Sequence, residues 1–523
     1  MSEAVSAKPS ANDVRLFWAC FIALVATAFG FIIRVSLINQ WGDEFGLSET
    51  QKGEILGVGL WPFAVSIILF SLIIDKIGYG VAMIFAFCCY VASSICLMTA
   101  NPSNGYQVLY FGSLILALGN GTVEAVINPV VATMFSQQKT KWLNILHAGW
   151  PGGLVIAGII MILMGGIDEW RIKVALIFIP AIAFGVLMLG CKFPVQERVK
   201  AGVSYREMLQ ETGVLGAFVA SFLMVAEVGR FFDWPMILQA GLIICLVVGF
   251  GFYVQAIGRL MFAFLLLVMI LLATTELGTD SWVTALMEPS MAKIGLDEGW
   301  VLVYTSFIMM ILRFFAGPIV HRISPLGLLA LSCVIAVIGL LCFSVATVGV
   351  MILVAATIYG FGKTFFWPTM LGVVSEQFPR GGAVTLNTIA GVGMLGVGVL
   401  GGPGLGFVQE TSIVHKLETT DPELFEQVRG EETRGIFGTY VPIDPEKIKA
   451  LPEEQQAVIT GIQNEEKRAA FRTVAILPCI MFVCYLGLIF YFKARGGYKA
   501  EVLVGHEADD AEFTGGTEGP GEG

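Results

Sequence analysis

The segment Gly119-Asn-Gly-Thr-Val-Glu-Ala-Val-Ile-Asn-Pro129 lies within a long apolar stretch, and its pattern occurs twice in the chain. Gly-x-x-Glu-x-x-x-x-Pro at residues 121–129 aligns without gaps on Gly-x-x-Lys-x-x-x-x-Pro at residues 360–368. A Leu-Asn pair follows each copy, at residues 143–144 and 386–387. The repeat indicates two structurally related halves. In membrane proteins, such halves are typical of secondary transporters, which bind their solute between them.

The composition places most of the chain in a lipid bilayer. Of its 523 residues, 56% are hydrophobic and 14% are charged, whereas soluble domains carry about a quarter charged residues. The net charge of −10 argues against nucleic acid as a partner. The ten cysteines lie in apolar stretches without metal-ligand spacing, and the phosphate-binding pattern G-x-x-x-x-G-K-[ST] does not occur. We therefore expect no cofactor, no metal site and no enzymatic activity.

The apolar stretches predict about 14 transmembrane helices, since a span needs about 20 mainly apolar residues. We expect an all-α polytopic membrane protein in which two sets of six helices flank an inserted central pair. The predicted spans lie near 16–40, 53–74, 80–99, 107–135, 144–165, 172–191, 213–230, 235–256, 260–286, 300–320, 326–346, 348–375, 384–408 and 471–492.

The charges of the connecting loops predict which side faces the cytoplasm. Lysine and arginine concentrate in the loops at one end of the predicted bundle, for example between residues 192 and 206, and the opposite end carries acidic pairs and the acidic stretch 409–470. Because basic loops stay in the cytoplasm, we expect both termini on the cytoplasmic side of a cytoplasmic (inner) membrane.

These predictions divide the chain into seven parts. They are a cytoplasmic N-terminus at 1–15, a first six-helix half at 16–191, a linker with two inserted helices at 192–256, helices 7–11 at 257–408, an extracytoplasmic loop at 409–470, a last helix at 471–493 and a disordered acidic tail at 494–523. Within the loop, the stretch from Pro452 to Phe471 is expected to form a surface helix.

A second repeated marker follows the second helix of each half. Ser-Leu-Ile-Ile-Asp-Lys-Ile-Gly at residues 71–78 has its counterpart in Gly-Pro-Ile-Val-His-Arg-Ile-Ser at residues 317–324. The form resembles the cytoplasmic loop signature of the major facilitator superfamily, which implies the major facilitator fold. An ordinary charged turn is the alternative. The residues assigned to this gating signature are Asp75, Lys76, Gly78, Gly317, His321 and Arg322.

Polar residues inside the fourth and fifth helices are the main candidates for a binding site. Asn120, Glu124 and Asn128 are spaced i, i+4 and i+8, which puts them on one face of a helix. Asn144 and His147 add a second polar face one helix later. Ionisable residues within a span are functional candidates because their burial in lipid is costly. A structural hydrogen-bond network is the alternative, although an amide would suffice for that purpose.

Further candidates lie elsewhere in the predicted spans. Trp367 is a candidate for stacking on a sugar ring, because it lies one turn from a lysine near mid-span. Asp280 and Arg313 have plainer interpretations, the first as an interfacial acid and the second as a brace for the loop signature. The remaining substrate- or proton-binding candidates are Arg34, Glu276, Lys363 and Asn387.

The segment from Gly119 to Pro129, with Leu-Asn-Ile-Leu-His at residues 143–147, resembles the fucose–galactose–proton symporter branch of the same superfamily. The resemblance covers about a tenth of the chain. It implies that Glu124 takes part in sugar and proton handling. The first-helix aspartate of that branch has no counterpart here, because Val35 stands at its position with Arg34 beside it.

Together these observations predict a secondary transporter that moves a small polar solute, most simply a sugar, by alternating access with proton symport. The carrier is expected to work as a monomer, with the solute, protons and the lipid bilayer as its partners. Two alternatives stay open. One is an exporter or anion carrier of the same superfamily, since Arg34 and Lys363 suit an anionic solute; the other is a membrane receptor that binds a solute without moving it.

Overall fold

A computed structural model describes residues 10–279, 299–435, 437–501 and 503. Within this part of the chain, thirteen helices are long and apolar enough to cross a membrane, and a shorter apolar helix of 16 residues spans Gly299–Phe314. These fourteen helices agree with the predicted number, and the all-α polytopic architecture is confirmed. Asp280 and most of the disordered tail predicted at 494–523 lie outside the described residues.

The helices of the first half precede those of the second half along the chain. Their bounds are α1 Ala11–Phe45, α2 Glu49–Gly57, α3 Trp61–Ile77, α4 Tyr79–Met98, α5 Gly105–Met134, α6 Lys139–His147, α7 Gly149–Leu163, α8 Trp170–Ala175, α9 Phe178–Met188, α10 Glu197–Lys200, α11 Tyr205–Phe231, α12 Met236–Val254, α13 Leu260–Leu277, α14 Gly299–Phe314, α15 Ala316–Val345, α16 Gly349–Lys363, α17 Phe366–Gln377, α18 Gly382–Gly396, α19 Gly402–Thr420, α20 Pro422–Val428, α21 Pro445–Lys449, α22 Glu453–Val474 and α23 Ile476–Ala494. A 3₁₀ turn (Pro379–Gly381), a π-helical turn (Val397–Gly401) and a short antiparallel hairpin of β1 (Thr433–Gly435) and β2 (Gly438–Tyr440) complete the described elements.

Local sequence explains several of the helix ends. Ser10, Ser48 and Ser204 each begin a helix with a capping box, in which the serine hydroxyl accepts from the third helical N–H and the side chain at that position accepts from the serine N–H. Gly78 ends α3 at φ 82°, a conformation that favours glycine. The first copy of the loop signature therefore makes a sharp turn where the sequence predicts one.

Close helix packing positions α5 in the centre of the first half. Most of its span is buried, and a Cβ on Gly121 would collide with the backbone carbonyl of Phe63 in α3. Small residues permit this approach, which compensates for the missing hydrophobic drive between helices in lipid. The inserted helix α12 is the opposite case: only 6% of its apolar span is buried, so lipid is the natural solvent for its surface.

The stretch predicted as an extracytoplasmic loop at 409–470 is largely folded. The helix that contains α18 continues through α19 to Thr420, and α22 continues into the last span. Residues 409–470, which we call the cap, also contain a separate hydrophobic core. Its buried members are Ile413, Leu417, Leu424, Phe425, Val428, Ile443, Ile459 and Ile462. This core was not predicted, because its few apolar residues are spread thinly along the chain. The helix expected from Pro452 to Phe471 is present as α22.

Candidate functional site

The polar stripe of α5 forms a buried hydrogen-bonded chain with α6. Asn128 Nδ2 donates to the Glu124 carboxylate at 2.7 Å and to the Glu124 carbonyl at 3.1 Å. Asn128 Oδ1 lies 2.9 Å from Nε2 of His147. All three side chains are buried. The i, i+4 spacing read from the sequence therefore places an acid, an amide and an imidazole in one continuous chain across two helices.

Asn120 belongs to a second buried chain on the same helix. The Tyr90 hydroxyl of α4 donates to Asn120 Oδ1 at 2.7 Å, and the Thr27 hydroxyl of α1 lies 2.8 Å from the Tyr90 oxygen. Tyr90 and Thr27 were not among the predicted site residues. The available signal was a tyrosine in an apolar span, because a buried tyrosine hydroxyl usually has a polar partner.

Arg313 of α14 connects four helices. Its guanidinium donates to Glu276 Oε1 of α13 at 2.8 Å, to the Thr364 carbonyl at 2.8 Å and to the His147 carbonyl of α6 at 2.7 Å. The other Glu276 oxygen accepts the Trp367 N–H at 2.9 Å. The plainer interpretation of Arg313 was a brace for the loop signature; the three bonds described here join it to other residues. The arginine lies among the candidate residues, and through His147 it links the two halves.

Lys363 and Trp367 are also buried close to this cluster. Lys363 is 1% exposed, and its Nζ lies 5.6 Å from the centre of the Tyr359 ring. The alignment of the two repeats suggests an ion pair between Glu124 and Lys363. In the described part of the chain, the Glu124 side chain is instead bonded to Asn128, and no ion pair joins it to Lys363. Trp367 lies against Gly393 of α18 through the edge of its ring.

Arg34 of α1 occupies a separate position. It is 3% exposed, while its neighbour Val35 is exposed. Arg34 Nε and Nη1 are buried without a hydrogen-bond partner among the described residues. The guanidinium lies against Gly59, in the break between α2 and α3, where a Cβ would overlap it. Arg34 is therefore a predicted site residue with two buried nitrogens that have no hydrogen-bond acceptor among the described residues.

The repeated asparagines join the two halves. Asn144 Nδ2 of the first half donates to the Thr369 hydroxyl of the second half at 3.2 Å and to the Thr140 carbonyl at 2.9 Å. Asn387 Nδ2 of the second half donates to the Ala125 carbonyl of the first half at 2.9 Å. Both Oδ1 atoms are buried without a partner in the described structure. We call Asn144 and Asn387 the asparagine clamp.

Removing the asparagine clamp should favour separation of the halves at the end of the bundle that holds the α5–α6 connection. Asn144→Ala with Asn387→Ala deletes two cross-half hydrogen bonds, each contributing about 1 kcal/mol. We expect faster maleimide labelling of a cysteine introduced at the buried Ala132, by roughly thirtyfold in the double variant, the factor that corresponds to about 2 kcal/mol. Asn12→Ala is the matched control, because its 2.8 Å bond to the Lys192 carbonyl does not join one half to the other. Unchanged labelling in the double variant would show that the clamp does not hold this end closed.

The two copies of the loop signature are placed differently. Asp75 is buried and paired with the buried Arg198, which follows the sixth span and also donates to the Val203 carbonyl at 2.7 Å. Lys76 is exposed beside it. In the second copy, Gly317 lies against the Lys141 side chain and Arg322 is exposed. The side chain of His321 lies outside the described part.

Further contacts fasten the halves at the basic end, the end of the bundle that holds the α5–α6 connection. Lys139 donates to Glu197 at 2.6 Å and to the Ser375 carbonyl at 3.1 Å. The Thr140 hydroxyl donates to Glu376 at 2.6 Å. These bonds join the start of α6 to the end of α17, so the halves are held together here.

The chain after the last span adds a strap to the same place. The Tyr498 hydroxyl donates to Glu376 Oε2 at 2.8 Å, and the Glu501 N–H donates to the Glu376 carbonyl at 2.8 Å. Burial and the Glu376 carboxylate raise the pKa of Tyr498 well above its usual range, so the phenol remains a donor. The predicted disorder of 494–523 was therefore wrong for residues 498–501, whose partners lie in a distant part of the sequence.

Comparisons with known proteins agree with this architecture. The family model described as Major Facilitator Superfamily matches residues 19–403. The transporter FucP in the outward conformation is 16% identical, with 89% of this chain and 98% of that chain covered and a TM-score of 0.54. The proton:xylose symporter XylE is 13% identical, with 95% and 98% covered and a TM-score of 0.59. The human organic anion transporter MFSD10 is 12% identical, with 90% and 99% covered and a TM-score of 0.58. The chain thus belongs to the Major Facilitator Superfamily.

Proposed function

We propose that this chain carries a small polar solute of the sugar class across the cytoplasmic membrane, in symport with protons and by alternating access. The carrier acts as a monomer, with the basic end and both termini in the cytoplasm, as the loop charges predict. Glu124 accepts and releases the proton. Asn120, Asn128, Asn144, His147, Lys363, Trp367 and Asn387 line or border the path between the halves.

The buried chain Glu124–Asn128–His147 is the observation that carries this proposal. The Glu124 carboxylate is bonded to a neutral amide, so it can gain or lose a proton without breaking an ion pair. Glu276, by contrast, is bonded to Arg313 and to a backbone N–H. Because the protonation of a buried acid depends on solvation and partners, solute binding beside Glu124 changes its affinity for the proton.

Two of the structurally similar proteins support a mechanism in which solute transport is coupled to protons. XylE is described as a proton:xylose symporter, and FucP as a fucose:proton symporter. In our proposal, the contacts at the basic end represent a state closed toward the cytoplasm. The asparagine clamp, Lys139 and Glu376 must separate from their partners before the solute can leave on that side.

Counterflow in proteoliposomes tests the proposal. Vesicles loaded with unlabelled solute should take up the labelled solute transiently, without any ion gradient, because an alternating-access carrier exchanges one molecule for another. A panel of hexoses, pentoses and their acids identifies the solute. Solute binding without counterflow would instead identify a receptor, and the transport proposal would be rejected.

The cap should not be needed for transport. It has its own hydrophobic core and lies outside the repeated halves. Replacing residues 409–470 with a short Gly/Ser linker should leave the carrier folded, with counterflow within about twofold, because the core of the cap is separate from the core of the membrane helices. A variant that inserts normally and transports nothing would show that the cap forms part of the site or of a gate.

A further inference from the structure

The guanidinium of Arg34 lacks the acceptors that a buried arginine requires. Arg34 is 3% exposed, and its Nε and Nη1 have no hydrogen-bond partner in the described structure. The Phe31 ring centre lies 6.0 Å from Cζ, at the outer limit of a cation–π contact. An uncompensated buried charge is costly, and no described residue pairs with Arg34, so its surroundings favour a bound anionic group.

The surroundings of Arg34 add a second positive feature. The guanidinium lies against Gly59, directly before the N-terminus of the 17-residue helix α3. No side chain caps this N-terminus, and its second residue, Pro62, has no N–H. Helix N-termini attract anions through their free N–H groups and the positive end of the dipole. A cation aimed at a helix N-terminus is unfavourable unless an anion lies between them.

We propose that Arg34 and the N-terminus of α3 bind a carboxylate of the transported solute, so that the substrate class is a sugar acid. A guanidinium and a carboxylate match in plane and spacing, and form two parallel hydrogen bonds. This inference rests on the proposed function and names the solute of the same site.

The position of this site relative to Glu124 suits one extended solute. Gly121 of α5 packs on Phe63 of α3, which places these residues at one level. The two helices run in parallel, with Gly59 four residues before Phe63 and Glu124 three residues after Gly121. At 1.5 Å per residue, Arg34 and Glu124 lie about 10 Å apart along the bundle. Asn120 lies between these levels and offers a partner for a sugar hydroxyl.

Two matched pairs of sugars test the assignment on the full-length protein in nanodiscs of neutral lipid. D-glucuronate and D-galacturonate differ from D-glucose and D-galactose in one carboxylate. We expect a uronate to stabilise the wild type at about 10- to 100-fold lower concentration than its hexose, as a charge-assisted hydrogen-bonded pair provides. Arg34→Gln should remove this difference and leave hexose binding unchanged. Arg34→Lys, which keeps the charge but not the paired geometry, should retain part of it.

A second measurement separates a ligand site from a structural role. Without solute, Arg34→Gln should unfold at the same or a higher temperature than the wild type, because it removes an unpaired buried charge. The assignment is overturned if Arg34→Gln destabilises the solute-free protein, or if neither uronate stabilises the wild type more than Arg34→Gln. It is also overturned if inorganic phosphate or phosphatidylglycerol vesicles, rather than a uronate, give the Arg34-dependent stabilisation.

The same variants show which of the two proposals fails. Arg34-dependent uronate binding without counterflow would keep the carboxylate site and reject transport. Counterflow in the wild type, together with uronate binding that Arg34→Gln leaves unchanged, would keep transport and reject the carboxylate site.

Discussion

Replacing Arg313 with methionine will lower the free energy of unfolding by about 3–5 kcal/mol, because it leaves the Glu276 carboxylate buried without its cation. Arg313 is 2% exposed and holds Glu276, Thr364 and His147 through three hydrogen bonds of 2.7–2.8 Å. Chemical unfolding in detergent micelles, followed by tryptophan fluorescence, measures the change.

The partner substitution makes this prediction specific. Arg313→Met combined with Glu276→Gln should recover most of the loss, because glutamine carries no charge and its oxygen can still accept the Trp367 N–H. Arg429→Met is the control, since Arg429 pairs with Glu426 while both are about half exposed or more, and such pairs contribute at most about 1 kcal/mol. Equal stability of the Arg313→Met and Arg429→Met proteins would contradict the role of Arg313 as a link between helices.

Glu124→Gln will abolish gradient-driven accumulation of the solute while leaving counterflow measurable. Glutamine keeps the size and the hydrogen bond to Asn128 but cannot exchange a proton. Under an imposed proton gradient, we expect the ratio of internal to external solute concentration to fall to about one. Counterflow should decrease by no more than roughly tenfold, because the exchange of one solute molecule for another needs no net transfer of a proton. Labelled-solute uptake in proteoliposomes measures both quantities.

Glu227→Gln provides the matched control for this variant. Glu227 is as buried as Glu124, at 6% exposure, but it lies in the inserted helix α11 and is paired with Arg230 at 2.7 Å. Accumulation should survive its replacement. If Glu124→Gln still concentrates the solute with an unchanged pH optimum, another group couples transport to protons.

The predictable parts of this structure are those that depend on local sequence. Apolar length predicted the spans, and helical periodicity placed Glu124 within hydrogen-bonding distance of Asn128, four residues later. The repeat predicted that residues near 144 and 387 occupy equivalent places. Their donation across the interface, to Thr369 and Ala125, is consistent with that symmetry.

The remaining parts depend on contacts between segments that are distant in sequence. Asp75 was predicted as a charge in a short turn, but its partner Arg198 lies 123 residues later, in a linker without a distinctive pattern. Tyr498 is bonded to Glu376, 122 residues earlier. No periodicity links such positions, because tertiary packing alone brings them together. The same reason explains why the cap core and the connections of Arg313 were not predicted.

Proton movement on addition of solute tests the central claim most directly. Proteoliposomes that contain the wild-type protein, with no gradient of any kind and a pH-sensitive dye outside, receive a solute that has shown counterflow. We expect the external medium to become alkaline as solute and protons enter together, and we expect Glu124→Gln to abolish this signal. Solute entry with no change in external pH would contradict the account, because the carrier would then move its solute without protons.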